Sequence, residues 1–455
     1  MAALVCLLLA IGASVFTIAA WQPAIAPVSP PPAGSFDPDL VRRGAELAAI
    51  GNCAACHTAK GGGEFAGGRA VPTPFGTIYS TNITPDVATG IGNWSEAAFA
   101  RAMRSGVRRD GAYLYPAFPY DHFTLVSDDD DEALYVFLMT RMPVHAAARH
   151  DRLPFPLDIR LLMFGWNLLF LHAGPYRPDA AHDAMWNRGA YLVEGFGHCG
   201  ACHTPRNAAG AEVAAQTFGG SAVQGWTAYA LDDDSPAPVP WNAEALAHYL
   251  GQGFDTDHGA AAGPMAEVTN DLRSASAQDL RAIAAYVAEQ MNHVAAESDR
   301  IMQVAERQRR RGNAGRPASA DGQAVALRPI DVKNDQGAVI YAGACSGCHE
   351  GPRALPFGGV NLALSTAISA PNANNLVNVV ISGLPAVDAA HAPIMPGFAD
   401  AMNDEQIVAL ARYLRARYSD RGPWTGIAKT ISDARNPRRK PIMSSQADEA
   451  HRQQQ

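Results

Sequence analysis

Three stretches of the chain place apolar residues at helical spacing behind a capping residue. Ser127 is followed by Asp128–Glu132 and then by Ala-Leu-Tyr-Val-Phe-Leu-Met; Ser276 leads into a run with Leu280, Ile283, Ala284 and Val287 on one face; Asn403 leads into Asp-Glu-Gln406 and Ile-Val-Ala-Leu-Ala-Arg-Tyr-Leu. A hydroxyl or amide cap, polar residues in the first turn and a 3.6-residue apolar period together predict a helix at each place. Shorter helices are expected upstream, at Arg43-Gly44-Ala45-Glu46-Leu47, Arg188-Gly189-Ala190-Tyr191-Leu192 and Gln336-Gly337-Ala338-Val339-Ile340. Long Gly- and Pro-rich segments separate each short helix from its later partner, so the pattern reads as one unit repeated three times.

Four other segments complete the pattern. Residues 2–20 carry no charge, and no Lys or Arg occurs before Arg42. A signal peptide has a basic start and an apolar core of about 7–15 residues. This longer run, closed by Trp21, suits a membrane span better. Ala24-Ile25-Ala26 has the form of a cleavage site, but Pro27 follows it, so an uncleaved anchor is expected, with Cys6 a small residue of its helix. Leu161–Leu171 is apolar but too short to span, and is expected as a helix buried between domains, a membrane-surface or partner-facing role being the alternative. Residues 294–332 read as a polar linker, and 423–455 as a disordered tail.

Composition narrows the class. The chain has 455 residues, a net charge of −8, 41 Gly and 32 Pro. The acidic balance argues against nucleic-acid binding. Six of seven cysteines fall in Cys-x-x-Cys-His motifs: Cys53, Cys56 and His57; Cys199, Cys202 and His203; Cys345, Cys348 and His349. The first cysteines are spaced 146 residues apart in both intervals. Two thiols at this spacing can add to the two vinyl groups of one haem, and the next His then sits under the iron. Thiol redox would need a βαβ context and zinc a further ligand at repeatable spacing, and neither is present. The motifs therefore predict three covalently bound haem c groups.

The sixth ligands separate electron transfer from catalysis. Met opposite His gives a six-coordinate iron of raised potential. Met265, in Gly263-Pro264-Met265, and Met395, in Met395-Pro396-Gly397, lie in Pro/Gly turns ahead of the terminal helices and are the expected ligands of the second and third haems. The matching turn of the first repeat, Tyr115-Pro-Ala-Phe118-Pro-Tyr-Asp-His122, has no Met. His122 is the expected substitute; Met103, Met139, Met142 or an open iron are the alternatives. His198, His258, His145, His150 and His391 show no ligand spacing, and His198 is taken as a loop residue. No nucleophile set, phosphate loop or dinucleotide fingerprint emerges, so no catalytic residue is expected.

Residues Asn52-Cys-Ala-Ala-Cys-His-Thr58, Tyr115–Tyr120, Trp166-Asn167, His198-Cys-Gly-Ala-Cys-His-Thr-Pro-Arg-Asn207, Gly263–Glu267 and Met395–Asp400 resemble the three-haem cytochrome c subunits of membrane-bound periplasmic dehydrogenases. The resemblance runs from about Phe36 to Tyr418. It implies a mostly α fold of three tandem class I-like cytochrome c domains behind the N-terminal membrane-anchor helix: residues 36–144, 184–293 and 333–422, with 1–35 as anchor and Pro-rich linker and 145–183 as connection. It implies an electron-transfer subunit, not an enzyme, on the periplasmic side of the inner membrane, passing electrons from a dehydrogenase to ubiquinone. Alcohol and sugar dehydrogenase subunits usually hold Met where Phe118 stands. The Phe-Pro-Tyr-Asp-His form is similar to the branch paired with molybdenum hydroxylases, which implies molybdopterin and 2Fe-2S partner subunits. A partner carrying pyrroloquinoline quinone or FAD is the alternative, and a haem enzyme with an open iron a more distant one.

Overall fold

The computed structural model describes residues 2–291, 298–313, 335–351, 358–384 and 394–436. The chain packs as two compact units. One gathers Met1–His182, Ala190–Ala201 and Arg206–Glu212; the other gathers Asp183–Gly189, Cys202–Pro205 and Val213–Gln455.

The first unit opens with α1 (Ala2–Ala20). Among the described residues, no helix is long and apolar enough to cross a membrane. The chain after α1 is tied down: the Tyr113 hydroxyl donates to the Ala20 carbonyl, and Ile25 and Arg109 pair through their backbones at 2.8 Å. Then come α2 (Pro38–Ile50), α3 (Cys53–His57), the hairpin β1 (Ala70–Thr73) and β2 (Gly76–Tyr79), α4 (Glu96–Ser105), α5 (Tyr120–Phe123), α6 (Asp128–Met139) and α7 (Met163–Phe170). Asp37 caps α2 with Pro38 behind it, and Ser127 caps α6, whose first turn carries four aspartates at the positive end of the helix dipole.

There follow α8 (Ala184–Tyr191) and α9 (Gly200–His203), each divided between the two units, and then, in the second unit, the hairpin β3 (Ser221–Val223) and β4 (Trp226–Ala228), and α10 (Ala243–Gln252). Next are the small ribbon β5 (Phe254–Asp255) and β6 (Gly259–Ala260), α11 (Pro264–Leu272), α12 (Ala277–Met291) and α13 (Ser298–Asn313). The last elements are α14 (Gln336–Ala344), α15 (Ser346–His349), α16 (Thr366–Ser369), α17 (Asn374–Ser382), α18 (Asp404–Tyr418) and α19 (Ile427–Arg435). The turn between β3 and β4 puts both central residues, Gln224 and Gly225, at positive φ (50° and 81°), the form a two-residue hairpin favours.

Three helix crossings explain the repeated Gly-Ala dipeptide. A Cβ on Gly44 of α2 would lie 1.9 Å from the Ala133 carbonyl oxygen of α6. On Gly189 of α8 it would lie 2.1 Å from that of Ala282 in α12, and on Gly337 of α14 2.3 Å from that of Ala409 in α18. Any side chain would force each pair apart. The arginine before the glycine is explained too. Arg43 pairs with Asp130, and Arg188 grips Asp279 through two bonds of 2.8 and 3.0 Å. Each aspartate is the third residue of its helix and donates its backbone N–H to the capping serine. The third repeat has glutamines instead, and Gln406 completes a capping box with Asn403.

Three expectations change. Residues 294–332 do not read as linker throughout, because α13 buries Ile301 and Ala305 beside Val239 and Leu364; 314–334 lie outside the described residues. The tail begins later than 423: Trp424, Ile427 and Ile431 join the core of α14, α17 and α18, and the Trp424 indole donates to the Ala370 carbonyl at 2.8 Å. The short apolar run at α7 is two-faced, with Trp166 buried against Tyr120 and Ala211 while Leu168 and Leu169 are more than 70 % exposed.

Candidate haem-binding motifs

None of the six motif cysteines is joined in a disulfide among the described residues, as thioether attachment requires. The three motif histidines share one arrangement. Nδ1 of His57 lies 2.7 Å from the Thr81 carbonyl, Nδ1 of His203 2.6 Å from that of Tyr229, and Nδ1 of His349 2.9 Å from that of Val360. A carbonyl can only accept, so Nδ1 carries the proton and donates. Nε2 is then left with a lone pair suited to a metal, and the ring is oriented by its second nitrogen. Desolvation lowers the pKa of all three rings, more than the carbonyl bond raises it, which favours the neutral form. In the first two repeats the accepting carbonyl lies within two residues of a hairpin's end, Thr81 after β2 and Tyr229 after β4. The residues present therefore fit covalent haem with an imidazole under the iron.

Met265 is the second residue of α11, in the first turn of a short helix rather than in an open turn. Gly263 ahead of it sits at φ 56° against the Trp226 indole, where a Cβ would come within 2.4 Å of the ring. Met395 exchanges two backbone bonds with Leu384, 2.8 and 3.2 Å, and packs on the core around α18.

The first repeat differs. Phe118 packs on Phe123, ring centroids 5.3 Å apart, within the cluster around Tyr120 and Trp166. His122 has both ring nitrogens engaged: Nδ1 with the Glu194 carbonyl and Nε2 with Glu212 Oε1, each at 2.7 Å. It stands beside Gly200, in the second motif, where a Cβ would come 3.1 Å from its Cε1. Ligation of the first haem by His122 would require breaking the Glu212 contact. Despite its burial, the Glu212 carboxylate with Asp121 raises the His122 pKa, and His122 and Arg206 hold Glu212 low, each partner favouring the charged form of the other. Asp121, His122 and Glu212 form the one metal-competent cluster among the described residues, but Arg206 already neutralises it. Of the alternatives, Met103 and Met139 are buried on helices and Met142 is exposed.

His198 is more than a loop residue: its Nε2 lies 3.3 Å from the Gly51 carbonyl. Sequence spacing carried no signal for this contact.

A cytochrome c family model matches residues 41–141, and the model described as cytochrome c oxidase, cbb3-type, subunit III, matches 332–414. The fructose dehydrogenase cytochrome subunit of Gluconobacter japonicus is 35 % identical over 87 % of this chain and 82 % of its own length. The gluconate 2-dehydrogenase cytochrome c subunit of Pantoea cypripedii is 36 % identical over 87 % and 89 %. This chain belongs to the cytochrome c subunits of dehydrogenases. A nicotinate dehydrogenase subunit of Pseudomonas putida is 42 % identical over 92 % of this chain, which spans only 34 % of that relative's length. Membership makes the chain an electron-transfer subunit carrying covalent haem c, not a catalytic one.

Proposed function

We propose that this subunit relays single electrons through three haem c groups, from a molybdopterin and 2Fe-2S hydroxylase to ubiquinone at the periplasmic face of the inner membrane. The observation that carries the reading is the threefold repetition of a CxxCH histidine whose Nδ1–H is committed to a carbonyl. The domains are residues 36–144, 184–293 and 333–422, linked to haem through Cys53 and Cys56, Cys199 and Cys202, and Cys345 and Cys348. Bound haem supplies iron that takes up and releases one electron at a time. With haem bound, His57, His203 and His349 would hold the iron, and Met265 and Met395 would offer sulfur to it in the second and third domains.

The choice of partner rests on Phe118 in place of Met and on the similarity to the Pseudomonas putida nicotinate dehydrogenase subunit. By that similarity the substrate oxidised by the partner is an N-heterocycle such as nicotinate, and the resemblance seen in the sequence adds aldehydes. Membrane attachment rests on the charge-free helix α1, with Leu4, Val15 and Ile18 exposed, and on its neighbour α7, joined through the Phe16–Phe164 ring contact at 5.6 Å. An apolar helix exposed on several sides calls for a lipid environment. Purification of the tagged subunit from native membranes tests the partner: stoichiometric molybdenum supports the reading, and pyrroloquinoline quinone or FAD in its place overturns it.

A further inference from the structure

Asn52 and His198 hold the same place in two repeats, one residue ahead of Cys53 and of Cys199. Both sit in the left-handed region, at φ 50° and 36°. Asn and His are among the non-glycine residues that tolerate it best. In the third repeat the helix α14 runs directly into Cys345, at φ −121°. The left-handed turn at His198 carries its ring to the first motif, where Nε2 meets the carbonyl of Gly51 at 3.3 Å. Gly51 is followed by Asn52 and Cys53, and a Cβ placed on it would lie 3.3 Å from Cys53 Sγ and 3.6 Å from the Phe196 carbonyl oxygen. Phe123 meets the His198 ring edge-on at 5.6 Å, and His122, itself pinned by Glu194 and Glu212, stands 6.4 Å away. Apart from α14 and Cys345, these residues belong to the first unit. Because the carbonyl accepts, Nε2 carries the proton; burial, reinforced by His122, holds the His198 pKa down at about 4, so the ring is neutral.

We propose that His198 is a positioning residue for electron transfer, its hydrogen bond to Gly51 closing a bonded path between the attachment points of the first and second haems. The path runs from Cys53 through Asn52 to the Gly51 carbonyl, across the hydrogen bond into the imidazole, and on to Cys199. Covalent and hydrogen bonds carry electronic coupling with less loss than a gap of the same length. One electron passes; no bond forms or breaks, and His198 keeps its proton. The proposal rests on the reading that both motifs hold haem.

The test compares wild type with His198→Asn and His198→Gln in the full-length protein. Asn keeps the left-handed preference, as Asn52 shows, but falls short of Gly51; Gln restores reach. Haem content and the three midpoint potentials are measured first, then electron redistribution after flash photoreduction. The expected result is wild-type haem content and potentials in His198→Asn, with redistribution between the first and second haems slowed severalfold and recovered in part by His198→Gln. An unchanged rate, or a slowing that follows a shift in either potential, overturns the conduit. A wild-type chain lacking haem at either motif overturns the haem reading itself, and is seen before any rate is measured.

Discussion

The turns ahead of α6 and α18 occupy corresponding places in the first and third repeats and are built to opposite ends. Ahead of α18, Met395 is fixed by its two backbone bonds to Leu384, and Gly383, at φ 72°, lets the strands close: a Cβ there would lie 2.4 Å from the Met395 carbonyl oxygen. Ahead of α6, an aromatic fills the Met position, and the nearby polar residue, His122, is spent on an ion pair beside the second motif. The comparison teaches that a repeat can keep its helix crossing and its motif histidine while the turn ahead of its terminal helix is rebuilt, which under the proposed ligands would make the haems unequal.

The largest effect should come from the ligand position itself. Met395→Ala should lower the potential of one haem and let its reduced form bind carbon monoxide, with the other two unchanged in a redox titration. The reciprocal change, Phe118→Met, should raise the potential of the lowest haem; three unaltered waves would break the correspondence of the two turns. His122→Asn takes the Nε2 contact from part-buried Glu212, which keeps Arg206, and should destabilise the first unit by about 1–3 kcal/mol in denaturant unfolding. All three redox waves should stay in place, whereas loss of one would restore His122 as a ligand. Gly337→Ala and Gly44→Ala should each cost about 1–3 kcal/mol, because neither crossing has room for a Cβ; a neutral result in one repeat alone would show that its helices can separate.

The last effect is read against pH and concerns Asp131, buried beside Arg104 at the start of α6. Burial outweighs the arginine and pushes its pKa up from 3.8 to about 7. The folded state then binds a proton that the unfolded state has released. Stability should therefore fall as pH rises from about 4 to 7, by up to about 1 kcal/mol per pH unit. Asp131→Asn should flatten that slope, measured as unfolding midpoint against pH, and an unchanged slope would place the titration elsewhere.

Much of this was legible in the sequence because it is written in local patterns. Capping Ser127, Ser276 and Asn403 and the apolar period behind them mark the terminal helices. The Gly-Ala dipeptides mark the partners, although only the crossing shows that Gly44, Gly189 and Gly337 are glycine for want of space. What escaped depends on contacts distant in sequence. The carbonyls of Thr81, Tyr229 and Val360 have no side-chain signature, and Arg43 and Arg188 reach aspartates some 90 residues on. His122 has the right spacing for a ligand, and its contact with Glu212, remote in sequence, had no signal there. His198 had no spacing signal at all. The helix at 427–435 was hidden by its polar flanks, since only Ile427 and Ile431 face inward.

The account depends most on each of the three motifs holding a haem. Intact mass together with pyridine haemochrome assay of the purified full-length protein measures that directly. Three haems per chain, all resisting acid-acetone extraction, are predicted; two or fewer, or any that extract, would contradict it.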